Sequence, residues 1–157
     1  MAYKIIPFEE FKQDCRHLAA MLAPRKPRNI FGMMRGGMVV ALYVAEELGL
    51  DAHHVFPLYS SKEKTGVIYS PVRWPHTTEP VTGLDSILID DILDTGKTEE
   101  DLQCTWPHLK IAVLYCKNKA YIESLACIKP VVGRYIETED YLVLPHEVLP
   151  VDNIEGI

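Results

Sequence analysis

The first sixty residues alternate between helical and extended patterning. From Phe8 to Leu22 the apolar side chains Phe8, Phe11, Cys15, Leu18, Ala19 and Leu22 recur at steps of three and four. That is the stripe of an amphipathic helix, and Pro24 stops it. After the basic turn Arg25-Lys26-Pro27-Arg28, the run Asn29-Ile30-Phe31-Gly32-Met33 reads as a buried strand. Arg35-Gly36-Gly37 breaks it. Met38 to Leu48 then reads as an apolar helix closed by Gly49, and Val55 to Tyr59 as the next strand. Strand, glycine turn, helix and strand make a βαβ unit.

Ser60 to Gly66 (SSKEKTG) is polar, charged and without period, so the expectation is a mobile loop. Val67 to Trp74 returns to strand character, with Pro71 restricting it to an edge. Ser86-Ile87-Leu88-Ile89 is a continuous apolar run, the mark of a parallel strand covered on both faces. It leads into Asp90-Asp91-Ile92-Leu93-Asp94-Thr95-Gly96-Lys97-Thr98, and a helix is expected to start near Thr98 with Asp101 completing a capping box. Lys110 to Cys116 is another buried strand, and the chain from Val131 is strand-like and irregular. These elements predict the α/β class, with a central, mostly parallel sheet flanked by helices.

Composition narrows the function. A length of 157 residues suits one domain with its own core. Lys plus Arg number 16 against 22 Asp plus Glu, a net charge of −6, which argues against nucleic-acid or membrane-surface partners because both are anionic. A small anionic ligand in a locally basic pocket remains compatible. Cys15, Cys104, Cys116 and Cys127 show neither a C-x-x-C pair nor zinc spacing and read as reduced thiols. The opening MAYKIIPFEEF has acids where a secretory signal has its apolar stretch, so the expected location is the cytosol.

The chemistry concentrates at Asp90 to Thr98. Ligands of open parallel sheets sit beyond the carboxyl ends of strands. Thr95-Gly96-Lys97-Thr98 supplies small residues and hydroxyls at a helix start, which suits a phosphate. The paired acids cannot bind phosphate; vicinal sugar hydroxyls or a divalent metal suit them. Gly96-Lys97-Thr98 is not the end of a P-loop, because that motif needs glycine where Asp91 stands.

The segment Ile87 to Thr98 resembles the phosphoribosyl-pyrophosphate (PRPP) signature of type I phosphoribosyltransferases, and over roughly residues 28 to 140 the chain resembles the 6-oxopurine branch, the xanthine-guanine and hypoxanthine enzymes. The resemblance implies a single phosphoribosyltransferase domain over 1–157, with a mobile loop at about 60–66 and a small hood made by the chain ends, including about 131–157. It implies that Asp90 and Asp91 hold the ribose diol, that Thr95, Gly96, Lys97 and Thr98 hold the 5′-phosphate, and that Arg35, Gly36 and Gly37 hold the pyrophosphate. Asp94 takes the role of the acid/base residue near purine N7. Lys117 matches the reader of the purine 6-oxygen, and Tyr135 and Ile136 match the segment that stacks on the base and binds its edge. Mg2+ is the implied cofactor, with Asp91 as its protein ligand and Glu139 or Asp140 as candidates for a second ion. The partners implied are PRPP and a purine base, with neither nucleic acid nor membrane, in a homo-oligomer, dimer or tetramer. Two residues depart from the pattern: Tyr135 stands where the xanthine-guanine enzymes carry tryptophan, and Lys97 where a small residue is common. A transferase for another base, or a non-catalytic PRPP- or nucleotide-binding regulator, are the competing readings. His146 has no serine or cysteine elbow to serve and receives no role.

Overall fold

The structure, a computed structural model, describes residues 2–63, 66–71, 85–125 and 129–147. Along the chain lie β1 (Tyr3–Ile5), α1 (Phe8–Leu22), β2 (Asn29–Met33), α2 (Gly36–Glu47), β3 (Val55–Glu63) and β4 (Gly66–Pro71). They are followed by β5 (Ser86–Leu93), α3 (Lys97–Thr105), β6 (Lys110–Cys116), α4 (Lys119–Ser124), β7 (Val131–Tyr135) and β8 (Tyr141–Val143).

Alternation along the central strands explains the layers. Ile30, Ile87, Ile89 and Leu114 face the side covered by α1 and α2, while Phe31, Leu88 and Val113 face the side of α3 and α4. Both faces of the sheet are therefore buried, which is why these strands read as unbroken apolar runs. The α1 stripe buries Phe11, Cys15, Leu18, Ala19 and Leu22, as its spacing requires, and leaves Phe8 exposed at the helix start.

The main sheet is six-stranded in the order β4-β3-β2-β5-β6-β7. All neighbours are parallel except the edge pair β3–β4. The chain leaves β2 through α2 toward β3 on one side, then returns to place β5 on the other side of β2. The carboxyl ends of β2 and β5 thus form the switch point at which such sheets open a crevice. A separate parallel pair, β1–β8, joins the two ends of the chain, with Tyr3 opposite Tyr141 and Ile5 opposite Val143. Leu142 and Leu144 anchor this pair in the α1-side core. The expected hood segment of about 131–157 is thus divided: Val131–Tyr135 is β7 at the edge of the main sheet, because it pairs with β6, and only β8 and the turn after it join β1 outside that sheet.

Four local expectations change. Ser60 to Glu63 belongs to β3 and Gly66 to β4, so most of the expected loop is an antiparallel hairpin with Ser60 opposite Tyr69 and Glu63 opposite Gly66. Polar sequence at a sheet edge needs only backbone pairing, not a buried face. Next, β5 runs on through Asp90 and Asp91 to Leu93, because β6 continues beside it with Asp90 opposite Val113 and Leu93 opposite Cys116. The second helix starts at Gly36 rather than Met38; Gly49, at φ +68°, follows its end as expected. The third starts at Lys97 behind Gly96, which has φ +80°, so neither Thr98 nor Asp101 forms a capping box. Cys15 and Cys116 are buried free thiols and Cys104 is an exposed one; Cys127, Trp74 and the end of the chain from 148 lie outside the described residues.

Candidate active site

Three segments meet at the switch point. The first is the turn from β2 into α2. Met34 N–H donates to Leu58 O at 2.9 Å, the Met34–Arg35 peptide is cis, and Arg35 stands exposed ahead of the helix. The glycines that follow are there for close approach. A methyl group on Gly37 would lie 2.6 Å from Ile89 O and 2.9 Å from Asp90 Cα, and one on Gly36 would lie 1.6 Å from Asp91 Oδ2. The start of α2 therefore rests directly on the acidic end of β5, a distance only glycine permits.

The second segment is that acidic end. Both carboxylates approach the start of α2, and a methyl group on Gly37 would lie 3.0 Å from Asp90 Oδ1. Asp90 is buried, and its Oδ1 accepts from Asp91 N–H at 2.9 Å. Burial holds its carboxyl well above the ordinary carboxylate range, and the neighbouring charges of Asp91 and Glu99 add to the effect. Asp91 is half-buried, with Oδ1 accepting from Ile92 N–H at 2.9 Å. Beyond Leu93 the strand gives way to Asp94, Thr95 and Gly96, and α3 follows. Thr95 and Lys97 are exposed, and Thr95 Oγ1 accepts from Lys97 N–H at 3.4 Å. A left-handed glycine at a helix start, with hydroxyls on both sides, leaves backbone N–H groups facing outward for an anion.

The third segment joins the ends of β6 and β7. Lys117 N–H donates to Leu93 O at 3.1 Å, and Ile136 N–H donates to Cys116 O at 2.9 Å, which sets Lys117 and Ile136 side by side. Lys117 Nζ stands 3.4 Å from Asp94 Oδ1; the lysine side chain is 15% exposed and the aspartate 65%. Ile136 is buried, whereas Tyr135 is 44% exposed, with Lys119 Nζ 6.0 Å from its ring centroid. Apart from the candidates for a second metal, the site residues singled out in the sequence thus lie on the β2–α2 turn, the end of β5 with the start of α3, or the ends of β6 and β7. Of the candidates for a second metal, Asp140 has its N–H on Thr138 Oγ1 at 3.1 Å, a turn within the hood, and Glu139 is exposed.

Two residues escaped the sequence reading. Glu99, in the first turn of α3, is only 4% exposed, and among the described residues its Oε1 has no hydrogen-bond partner. Burial pushes its carboxyl from the ordinary 4.5 up to about 7, and the charges of Asp91 and Glu100 add to that. Its spacing of three from buried Leu102 was the available signal. His146 is the other. It sits in the turn after β8, with Nε2 3.7 Å from Asp91 Oδ2, and no period or motif links it to that position.

Comparison with known proteins bears on the fold. No protein-family model matches the chain. It is 26% identical over 136 residues to a xanthine-guanine phosphoribosyltransferase of Cereibacter sphaeroides, covering 83% of this chain and 77% of that protein. Its fold superposes on a purine phosphoribosyltransferase from Pyrococcus horikoshii with a TM-score of 0.68 at 24% identity, covering 96% of this chain and 97% of the other. The chain has the type I phosphoribosyltransferase fold. A xanthine-guanine-hypoxanthine phosphoribosyltransferase from Helicobacter pylori gives a TM-score of 0.64 at 18% identity, over 90% of this chain and 92% of that one. Among the described residues no helix is long and apolar enough to cross a membrane.

Proposed function

We propose that the chain is a purine-salvage phosphoribosyltransferase, transferring the 5-phosphoribosyl group of PRPP to N9 of guanine, xanthine or hypoxanthine and releasing pyrophosphate. The observation that carries this reading is the convergence at one switch point of the acids of β5, the glycine turn of β2–α2 and the Thr95–Thr98 loop, with Lys117 beside Asp94. Thr95, Gly96, Lys97 and Thr98 bind the 5′-phosphate at the start of α3. Asp90 and Asp91 bind the ribose hydroxyls, and Asp91 faces the positive charge that builds on the ring as the C1–oxygen bond breaks. Arg35 and the backbone of Gly36 and Gly37 hold the departing pyrophosphate.

The base lies between Lys117, which donates to its 6-oxygen, and Tyr135, which offers an aromatic face, with Ile136 along its edge. Asp94 accepts the proton that the purine loses as N9 bonds to C1. A segment around 60–66 closing over the centre would keep water from hydrolysing PRPP. Among the described residues no three Asp, Glu, His or Cys side chains form a metal-binding group. Mg2+ commonly takes one or two carboxylates and completes its shell with substrate oxygens and water. Asp91 is the residue to hold it, and the ion would offset charge on the leaving pyrophosphate. A homo-oligomer in the cytosol, working on small-molecule substrates only, completes the reading.

Pyrophosphate release from PRPP in the presence of Mg2+ tests the function directly. Guanine, xanthine or hypoxanthine should support turnover, and adenine, uracil and orotate should not. Turnover with adenine, uracil or orotate alone would point to a transferase for another base. Tight PRPP binding without turnover on any base would point to a regulator.

A further inference from the structure

We propose that His146 is a positioning residue for Asp91, so that the hood, and not the sheet alone, sets the direction of that carboxylate. The inference rests on the reading that Asp91 serves PRPP and its metal. Three walls surround the Asp91 carboxylate. Oδ1 is held by Ile92 N–H at 2.9 Å. Oδ2 faces the Cα of Gly36, where a methyl group would come within 1.6 Å of it. A third side is the imidazole of His146, whose Nε2 lies 3.7 Å from Oδ2 and would lie 3.1 Å from the same methyl group.

The histidine is built into place rather than adrift. Its side chain is 18% exposed, the edge of the Phe11 ring meets it at 5.9 Å between centroids, and the turn carrying it is closed by Leu144 N–H on Glu147 Oε2 at 2.7 Å. Among the described residues both ring nitrogens are buried without a hydrogen-bond partner. A buried imidazole with unfilled bonding capacity is costly unless something in the site uses it. The facing group is Asp91, and a small movement of either side chain closes 3.7 Å to a hydrogen bond. Groups that orient a metal-binding carboxylate act in this way, through the ligand rather than on the substrate.

Calorimetric titration of the full chain with PRPP and Mg2+ tests this. His146→Leu should weaken binding by about 10-fold or more, the usual scale for losing such an orienting group. His146→Gln, which keeps an N–H donor, should recover most of that affinity. Equal losses in the two variants would make the ring mere packing and overturn the role. Asp91→Asn in the same titration reports on the underlying reading. If it weakens binding while His146→Leu does not, the positioning role falls and the site reading stands; if neither does, both fall. A measurement without substrate guards against a variant that fails to fold. In nitrogen NMR of the ligand-free protein, the His146 Nε2 resonance should move on Asp91→Asn, and an unmoved resonance would overturn the contact itself.

Discussion

Asp94 and Lys117 stand 3.4 Å apart, one on the loop after β5 and the other at the end of β6. A base that takes a proton from the purine and a cation that reads its 6-oxygen must both reach one ring, and this pair is already at that spacing. Asp94→Asn removes the proposed proton acceptor without changing shape, so turnover should fall by about 10²–10⁴-fold with PRPP binding retained; near-normal turnover would remove Asp94 from the reaction. Glu99 makes a different prediction. Its carboxyl titrates near 7 when folded against 4.5 ordinarily, so between those values the folded chain holds a proton that the unfolded chain has released. Stability should therefore fall as pH rises from 4.5 through 7. Glu99→Gln cannot ionise and should gain on the order of 3 kcal/mol over wild type at alkaline pH, with little gain in acid. Urea unfolding of both proteins across that range checks it, and parallel pH profiles would contradict the assignment.

At the scale of elements, the decisive contact is the start of α2 on the end of β5. Gly37 has backbone on the side where a Cβ would go, 2.6 Å from Ile89 O and 2.9 Å from Asp90 Cα, and backbone cannot give way as a flexible side chain can. Gly49 has φ +68° but open space around it. The two glycines thus separate crowding from backbone preference. Gly49→Ala should cost about 1–2 kcal/mol from the left-handed conformation alone and leave PRPP binding intact. Gly37→Ala should cost about 1–3 kcal/mol or more through overpacking, and it should also weaken PRPP binding, because α2 can relieve the clash only by lifting from Asp90. Paired unfolding and calorimetric measurements distinguish them; equal effects on PRPP affinity would mean the contact does not shape the site.

At the scale of the whole molecule, the proposed function has a chain of net charge −6 hold a strongly anionic substrate. With Asp90 and Asp91 at the centre of the crevice, binding should depend on a divalent cation. Chelation should weaken PRPP affinity severely in calorimetry, and equal affinity with and without chelator would count against the acids as its binding pair. The sequence by itself determined the elements that carry the site. Unbroken apolar runs such as Ser86–Ile89 and Lys110–Cys116 specify strands buried on both faces, and the α1 stripe specifies its buried side, because period and burial are local properties of the chain. It also pointed to the candidate site's residue types, since small residues and hydroxyls at a helix start suit a phosphate, and acids at the end of a buried strand suit sugar hydroxyls or a metal. The tertiary structure alone decided how far β5 extends, since its last residues are ordered by pairing with β6 rather than by their own apolarity. It alone decided that SSKEKTG is largely a hairpin, because edge pairing leaves no hydrophobic signature. It buried Glu99, and it brought His146 of the hood to Asp91. Those contacts join segments far apart in the chain, and their energy comes from a neighbour that no local pattern contains.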